Sequence, residues 1–181
     1  TSLLGVMPKK EPLRVDTLET TALDGGVKYK IRYFIEPGNP VLETPDDWGS
    51  AYLFVPSLPS GKKAPAIVAM HQDDVYYHIG KSEPAGLMGD STMFYGRELF
   101  ERGYIVMCPD RFYHADRRKT CQDWGNLSEN DYERDFFTQQ KRIGVLLAEG
   151  RNTWGKEAYD FSRAVDVLVA MPEVDTDNIG A

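Results

Sequence analysis

Two short apolar runs constrain this chain most: Ala64–Met70 and Tyr104–Cys108, separated by a helix-like segment. A run that is apolar at nearly every position, not at alternate ones, is what a strand covered on both faces requires. Between them, residues 92–102 set Met93, Phe94, Leu99 and Phe100 at helical spacing. Asp90 or Ser91 supplies a capping oxygen, and Gly103 ends the helix. Strand, helix and strand within about 45 residues predict a right-handed βαβ crossover, with helices packed on a sheet.

The flanking segments add strands and helices. Leu13, Val15 and Leu18 alternate with polar residues, and so do Val27, Tyr29, Ile31, Tyr33 and Ile35. Asp24-Gly25-Gly26 between them supplies the positive φ of a tight hairpin. Turn chemistry at Pro37, Gly38, Pro40, Pro45 and Gly49 predicts a loop over 37–49. Ala51–Val55 then reads as a third strand closed by Pro56. Residues 111–128 are polar and irregular. Residues 129–149 place Tyr132, Phe136, Ile143, Leu146 and Leu147 near one helix face, and residues 156–171 repeat Ala158, Phe161, Ala164, Val165 and Leu168. Asp160, one turn before Arg163, predicts a surface ion pair. Asn178–Ala181 opens a further strand. The expectation is one α/β domain over 1–181, with antiparallel strands in 1–63 and the βαβ portion in 64–181.

Composition excludes several functions. The chain has 181 residues, enough for one core, with 41% hydrophobic and 27% charged positions, a globular balance. No stretch of about 18 apolar residues is present, so no membrane span is expected. Acidic residues outnumber basic ones 28 to 21, for a net charge of −7, which repels a phosphate backbone and argues against a nucleic-acid partner. Two cysteines, Cys108 and Cys121, are too few for a disulfide framework, and Cys108 in its apolar run reads as a buried, inert thiol. No secretory leader pattern follows Thr1, which favours the cytoplasm, although a processed start looks the same.

The candidate chemical motifs are few. Gly80-Lys81-Ser82 resembles the end of a phosphate-binding loop, but Val75 stands where that motif needs glycine. His71, Asp73, Asp74 and His78, with His114 and Asp116, offer possible metal ligands. Their spacing fits no helical i, i+4 pair, so neither metal nor cofactor is expected, and a metal-dependent hydrolase using His71, Asp73 and His78 stays a third reading. None of the eight serines lies in Gly-x-Ser-x-Gly. Ser82 comes nearest, with Pro84 at the second glycine. Arg117-Arg118-Lys119 reads as a solvated loop or as a site for an acidic substrate. His71-Gln72 is the most informative pair, because it follows the buried strand 64–70. Open α/β sheets bind ligands at strand carboxyl ends, where a backbone N–H can stabilise an oxyanion. On local residues alone, the favoured reading is that His71 bonds loop carbonyls while Gln72 is solvated.

Four stretches together resemble an α/β-hydrolase of the dienelactone-hydrolase and acetyl-xylan-esterase-like group, over Ala64–Ala181. They are Ala64–Gln72, ending in His-Gln; Gly80–Asp90; Glu98–Asp110, carrying Arg102-Gly103-Tyr104, Val106 and Pro109-Asp110; and Arg163–Leu168 with Met171–Asp175 and Ile179-Gly180. The resemblance implies a mostly parallel hydrolase-type sheet with an N-terminal antiparallel hairpin and helices on both faces. It implies a serine ester hydrolase acting on small acyl or carbohydrate esters, without a cofactor. In that family the Ile-Gly strand runs into the Gly-x-Ser-x-Gly elbow, and the acid and histidine follow it. The resemblance therefore places all three triad residues beyond Ala181 and leaves His71, His78 and His114 outside the base role. It assigns the Gln72 backbone N–H to the oxyanion hole. Many relatives carry glycine there, which reaches backbone angles that glutamine does not. His71, Tyr76 and Tyr77 are the expected substrate-binding residues, the two tyrosines serving equally well as packing. The expected partners are an ester substrate and a C-terminal half or second chain completing the sheet, since a strand ending near Ile179 leaves a long unpaired edge that should aggregate. The alternative is a non-catalytic hydrolase-like binding module.

Overall fold

The computed structural model describes residues 3–42, 44–72, 78–118, 140 and 142–181. Its strands are β1 (Val15–Leu23), β2 (Gly26–Glu36), β3 (Asp47–Pro56), β4 (Ala64–Val68), β5 (Ile105–Pro109) and β6 (Val174–Gly180). Its helices are α1 (Tyr95–Glu101), α2 (residues 142–148) and α3 (Thr153–Val169). The six strands form one sheet in the order β1-β2-β3-β5-β4-β6. β1, β2, β3 and β5 pair antiparallel in turn, whereas β4 is parallel to both β5 and β6. The sheet is thus mixed, with its parallel part at the β5-β4-β6 side. The β1–β2 hairpin turns at Asp24-Gly25, where Gly25 takes φ +80°.

Period-two alternation on β5 explains the helices on both faces. Ile105 and Met107 join Ile31, Tyr33, Ile35 and Leu53 beneath Tyr159, Val167 and Leu168 of α3. Val106 and Cys108 point the other way, to Phe54 and to Phe100 of α1. Phe100 and Phe54 tilt together at 5.4 Å between centroids. Cys108 is fully buried, and burial pushes its thiol well above the ordinary value. Each large side chain so buried stabilises the fold by roughly 1.5–3 kcal/mol.

The structure moves several predicted boundaries. β3 starts at Asp47, not Ala51, so the loop is shorter than 37–49. Gly49 acts here as a strand residue, because a Cβ on it would lie 2.2 Å from Cζ of Tyr33. The 92–102 segment divides into a 3-10 turn, Ser91–Met93, and α1. Asp90 caps the turn by accepting from the Thr92 N–H at 2.9 Å. α3 begins at Thr153 because the Asn152 side chain accepts from the Gly155 N–H at 2.9 Å. β6 begins at Val174, earlier than Asn178. Of the helix predicted over 129–149, residues 142–148 are seen and 129–139 lie outside the described residues.

The predicted Asp160–Arg163 surface pair is overturned. Both residues are buried. Asp160 instead pairs with Lys156 and with Arg117 at 2.8 Å. Arg163 pairs with Asp166 at 2.9 Å and donates to the Phe34 carbonyl. The α3 face that covers the sheet is polar at the end near β2 and β3, so charges that read as solvated find opposite charges there. Among the described residues, no helix is long and apolar enough to cross a membrane.

Candidate active site

Because β4, β5 and β6 are parallel, their carboxyl ends share one rim of the sheet. The loop after β4 carries His71 and Gln72, and the loop after β5 carries Asp110–Arg118. β6 reaches the same level: Gly180 lies opposite Ile67.

His71 is fixed at both ring nitrogens. Nε2 accepts from the Arg111 backbone N–H at 3.0 Å, so the proton sits on Nδ1, which donates to the Gln72 carbonyl at 2.7 Å. Burial holds the ring below its ordinary pKa despite the pull of Asp110. A neutral imidazole with both nitrogens engaged is a positioning element, not a base. The His114 ring lies 4.7 Å from it, and burial and then the His71 ring push His114 down to about 3. The β5 loop reaches His71 through a tight turn in which Tyr113 and Ala115 take φ of 70° and 42°. Left-handed conformations at two non-glycine residues are strained and persist only where surrounding contacts impose them.

Gln72 has no positive φ. Among the described residues only Tyr113 and Ala115 are non-glycine positions of that kind, so glutamine at position 72 needs no backbone angle reserved for glycine. Gln72 is exposed, but its side chain is not simply solvated: Nε2 donates to Oε1 of Glu83 at 3.2 Å. Glu83 is buried and also accepts the Asp90 N–H at 3.1 Å.

The glycine-lysine-serine motif is no phosphate loop. Gly80–Ser82 is a 3-10 turn whose lysine points inward. The Lys81 ammonium sits 2.6 Å from Asp110 and 2.7 Å from Asp116, and the Lys81 N–H donates to Asp110 at 2.8 Å. Burial alone would lower the Lys81 pKa, but the two carboxylates more than offset it and raise it. Gly80 has φ +47°, and a Cβ there would lie 2.5 Å from Asp110 Oδ1, so glycine is required. Lys30 at 3.3 Å and the Ser50 hydroxyl at 2.9 Å complete the surroundings of Asp116. Asp116 is therefore an ion-pair partner.

Of the Arg117-Arg118-Lys119 cluster, the two arginines are likewise not solvated. Arg117 is enclosed, with Asp47 at 2.9 Å and Asp160 at 2.8 Å, and Arg118 is buried. Lys119 lies outside the described residues, as do Tyr76, Tyr77, Asp73 and Asp74. Among the described residues no group of three or more His, Cys, Asp or Glu is gathered for a metal.

One rim residue escaped sequence reasoning. Trp154, the second residue of α3, is 72% exposed and lines a cleft with Arg111, Phe112, His114 and Glu157. Arg111 and Glu157 pair there at 2.9 Å. Because Arg111 and His114 also touch His71, the cleft adjoins the Gln72 corner. A tryptophan just after a helix cap carries no sequence signal that separates exposure from packing.

No family model matches the chain. Over 179 residues it is 26% identical to YtaP of Bacillus subtilis, a protein assigned as a hydrolase, covering 98% of this chain and 51% of that protein. Among solved structures, a protein assigned as an acetyl xylan esterase from Bacteroides fragilis superposes with a TM-score of 0.69 at 16% identity, over 96% of this chain and 41% of that one. Glucuronoyl esterase from Solibacter usitatus matches at 0.54 and 14% identity, over 98% and 47%. Acetyl Xylan Esterase 1 from Thermoanaerobacterium matches at 0.52 and 14% identity, over 95% and 45%. The chain spans about half the length of the curated relative and less than half of each of these structures. It carries the α/β-hydrolase fold, over a span about half as long as the hydrolase and esterases it resembles.

Proposed function

We propose that this chain is the N-terminal part of a serine ester hydrolase and that it supplies one side of the oxyanion hole. The observation that carries the reading is His71-Gln72, at the carboxyl rim of the parallel strands, with His71 locked into the Gln72 carbonyl. The Gln72 N–H donates to the oxyanion that forms as the ester carbonyl becomes tetrahedral. Preorganised donors of this kind are worth about 2.7–4 kcal/mol each. The second donor, the serine, its histidine base and the orienting acid come from residues beyond Ala181. The β6 register supports this, because a chain continuing from Ala181 runs along the rim beside residues 68–72. Tyr76 and Tyr77, in the loop after Gln72 and outside the described residues, are the further substrate-binding residues of this reading. Trp154 offers a flat apolar face suited to the sugar of a carbohydrate ester.

The test is p-nitrophenyl acetate hydrolysis. The full-length protein turns it over and the 181-residue chain alone does not. Robust turnover by the 181 residues, abolished by one substitution within them, contradicts the reading. An inert full-length protein supports the binding module instead.

A further inference from the structure

The Gly80–Asp90 stretch links the buried Lys81 network to the Gln72 corner. Its two ends are anchored differently. At one end, Lys81 enters the core and is held by Asp110 and Asp116 through three hydrogen bonds of 2.6–2.8 Å. The turn then closes through the Glu83 N–H onto the Gly80 carbonyl at 3.2 Å. At the other end, Glu83 Oε1 receives the Gln72 amide at 3.2 Å and the Asp90 N–H at 3.1 Å. The space behind that oxygen is closed, since a Cβ on Gly89 would lie 2.7 Å from it. A buried carboxylate in a walled site with two donors is an anchor of defined position. What it anchors is Gln72, the exposed residue that follows His71 at the rim. A glycine at position 72 would have no side chain to be held by. The glutamine gives up backbone freedom and gains a tether.

We propose that Glu83 is a positioning residue: through the Gln72 side chain it holds the Gln72 peptide in the orientation that donates to the oxyanion. This rests on the ester-hydrolase reading. The tether itself does not, so two readouts separate them.

The variants are Glu83→Ala, Glu83→Gln, Gln72→Met and the double variant Glu83→Ala/Gln72→Met, made in the full-length protein. Gln72 is exposed, so its substitution keeps the test alive where Glu83→Ala fails to fold. Glu83→Ala and Gln72→Met each lower kcat roughly 10- to 100-fold with KM nearly unchanged, because a misplaced donor is lost mainly in the transition state. The double variant is no worse than either single one. Glu83→Gln, which keeps an acceptor oxygen, retains most of kcat. In the same variants, the backbone N–H order parameter of Gln72 falls from the rigid toward the flexible range in Glu83→Ala and Gln72→Met but not in Glu83→Gln. Additive kcat losses, or a Gln72 order parameter unchanged by both Glu83→Ala and Gln72→Met, overturn the proposal. Absence of ester hydrolysis in the wild type removes the functional reading, and the order parameters then still decide the tether.

Discussion

Replacing Lys81 by methionine tests the buried bracket behind the rim. The side chains of Lys81, Asp110 and Asp116 are 2%, 0% and 6% exposed, so solvent screens none of them effectively. At an effective dielectric of about 20, an ion pair near 2.7 Å is worth roughly 6 kcal/mol in attraction, most of it offset by desolvation of the ions. Methionine preserves the bulk of the stem but leaves two carboxylates without their shared cation. Breaking a buried pair in this way costs about 3–5 kcal/mol. For a domain of this size that lowers Tm by about 6–20 °C, read by circular dichroism at neutral pH. The loss has a pH signature. Burial acts on Asp116 to raise its pKa, but Lys81, Lys30 and Ser50 hold it below the ordinary value, so in the native protein its stabilisation is present above about pH 4 and lost on acidification through the folded pKa. Without Lys81 the pull on this carboxylate weakens, with only Lys30 and Ser50 left beside it, so less stabilisation remains above about pH 4 to be lost as the pH falls. The gap between variant and wild type therefore narrows toward pH 4.5, and adding Asp116→Asn recovers part of it at pH 7. A Tm within about 2 °C of wild type at pH 7 refutes the account of Lys81 as the cation of this network.

Two further outcomes follow from the rim. His114 is held to about 3 by burial and then by the adjacent His71 ring, and His71 is also depressed. The unfolded chain therefore binds more protons than the native one below about pH 6.5, and urea titrations show stability falling from there toward pH 4, with a shallower fall in His114→Asn. Trp154→Ala raises KM for a sugar ester several-fold while leaving KM for p-nitrophenyl acetate within about twofold, and equal effects on both substrates remove Trp154 from the leaving-group side.

The parts of this fold legible in the sequence were those whose signal is local. Ala64–Val68 and Ile105–Pro109 announced themselves because burial on both faces demands apolar residues at nearly every position. The hairpin at Gly25 and the caps Asp90 and Gly103 followed from backbone chemistry alone. The start of β3 was hidden because Pro45, Asp46 and Gly49 also spell a turn, and only the Tyr33 ring across the sheet shows why Gly49 is glycine. The charged interior was illegible for a related reason. Lys81 meets Asp110 and Asp116 from 29 and 35 residues away, and Arg117 meets Asp47 from 70. A buried charge differs from a solvated one only through such a partner. The His71-Gln72 corner was found from its place at a strand end, whereas the Glu83 anchor and the exposed Trp154 became visible only in three dimensions.

The most direct test of the central claim is to label the full-length protein with a fluorophosphonate probe and map the modified residue by mass spectrometry. The account predicts one labelled serine, in a Gly-x-Ser-x-Gly segment within a few residues beyond Ala181, and a parallel loss of ester hydrolysis. Labelling confined to residues 1–181, or full ester hydrolysis with no serine labelled, contradicts it.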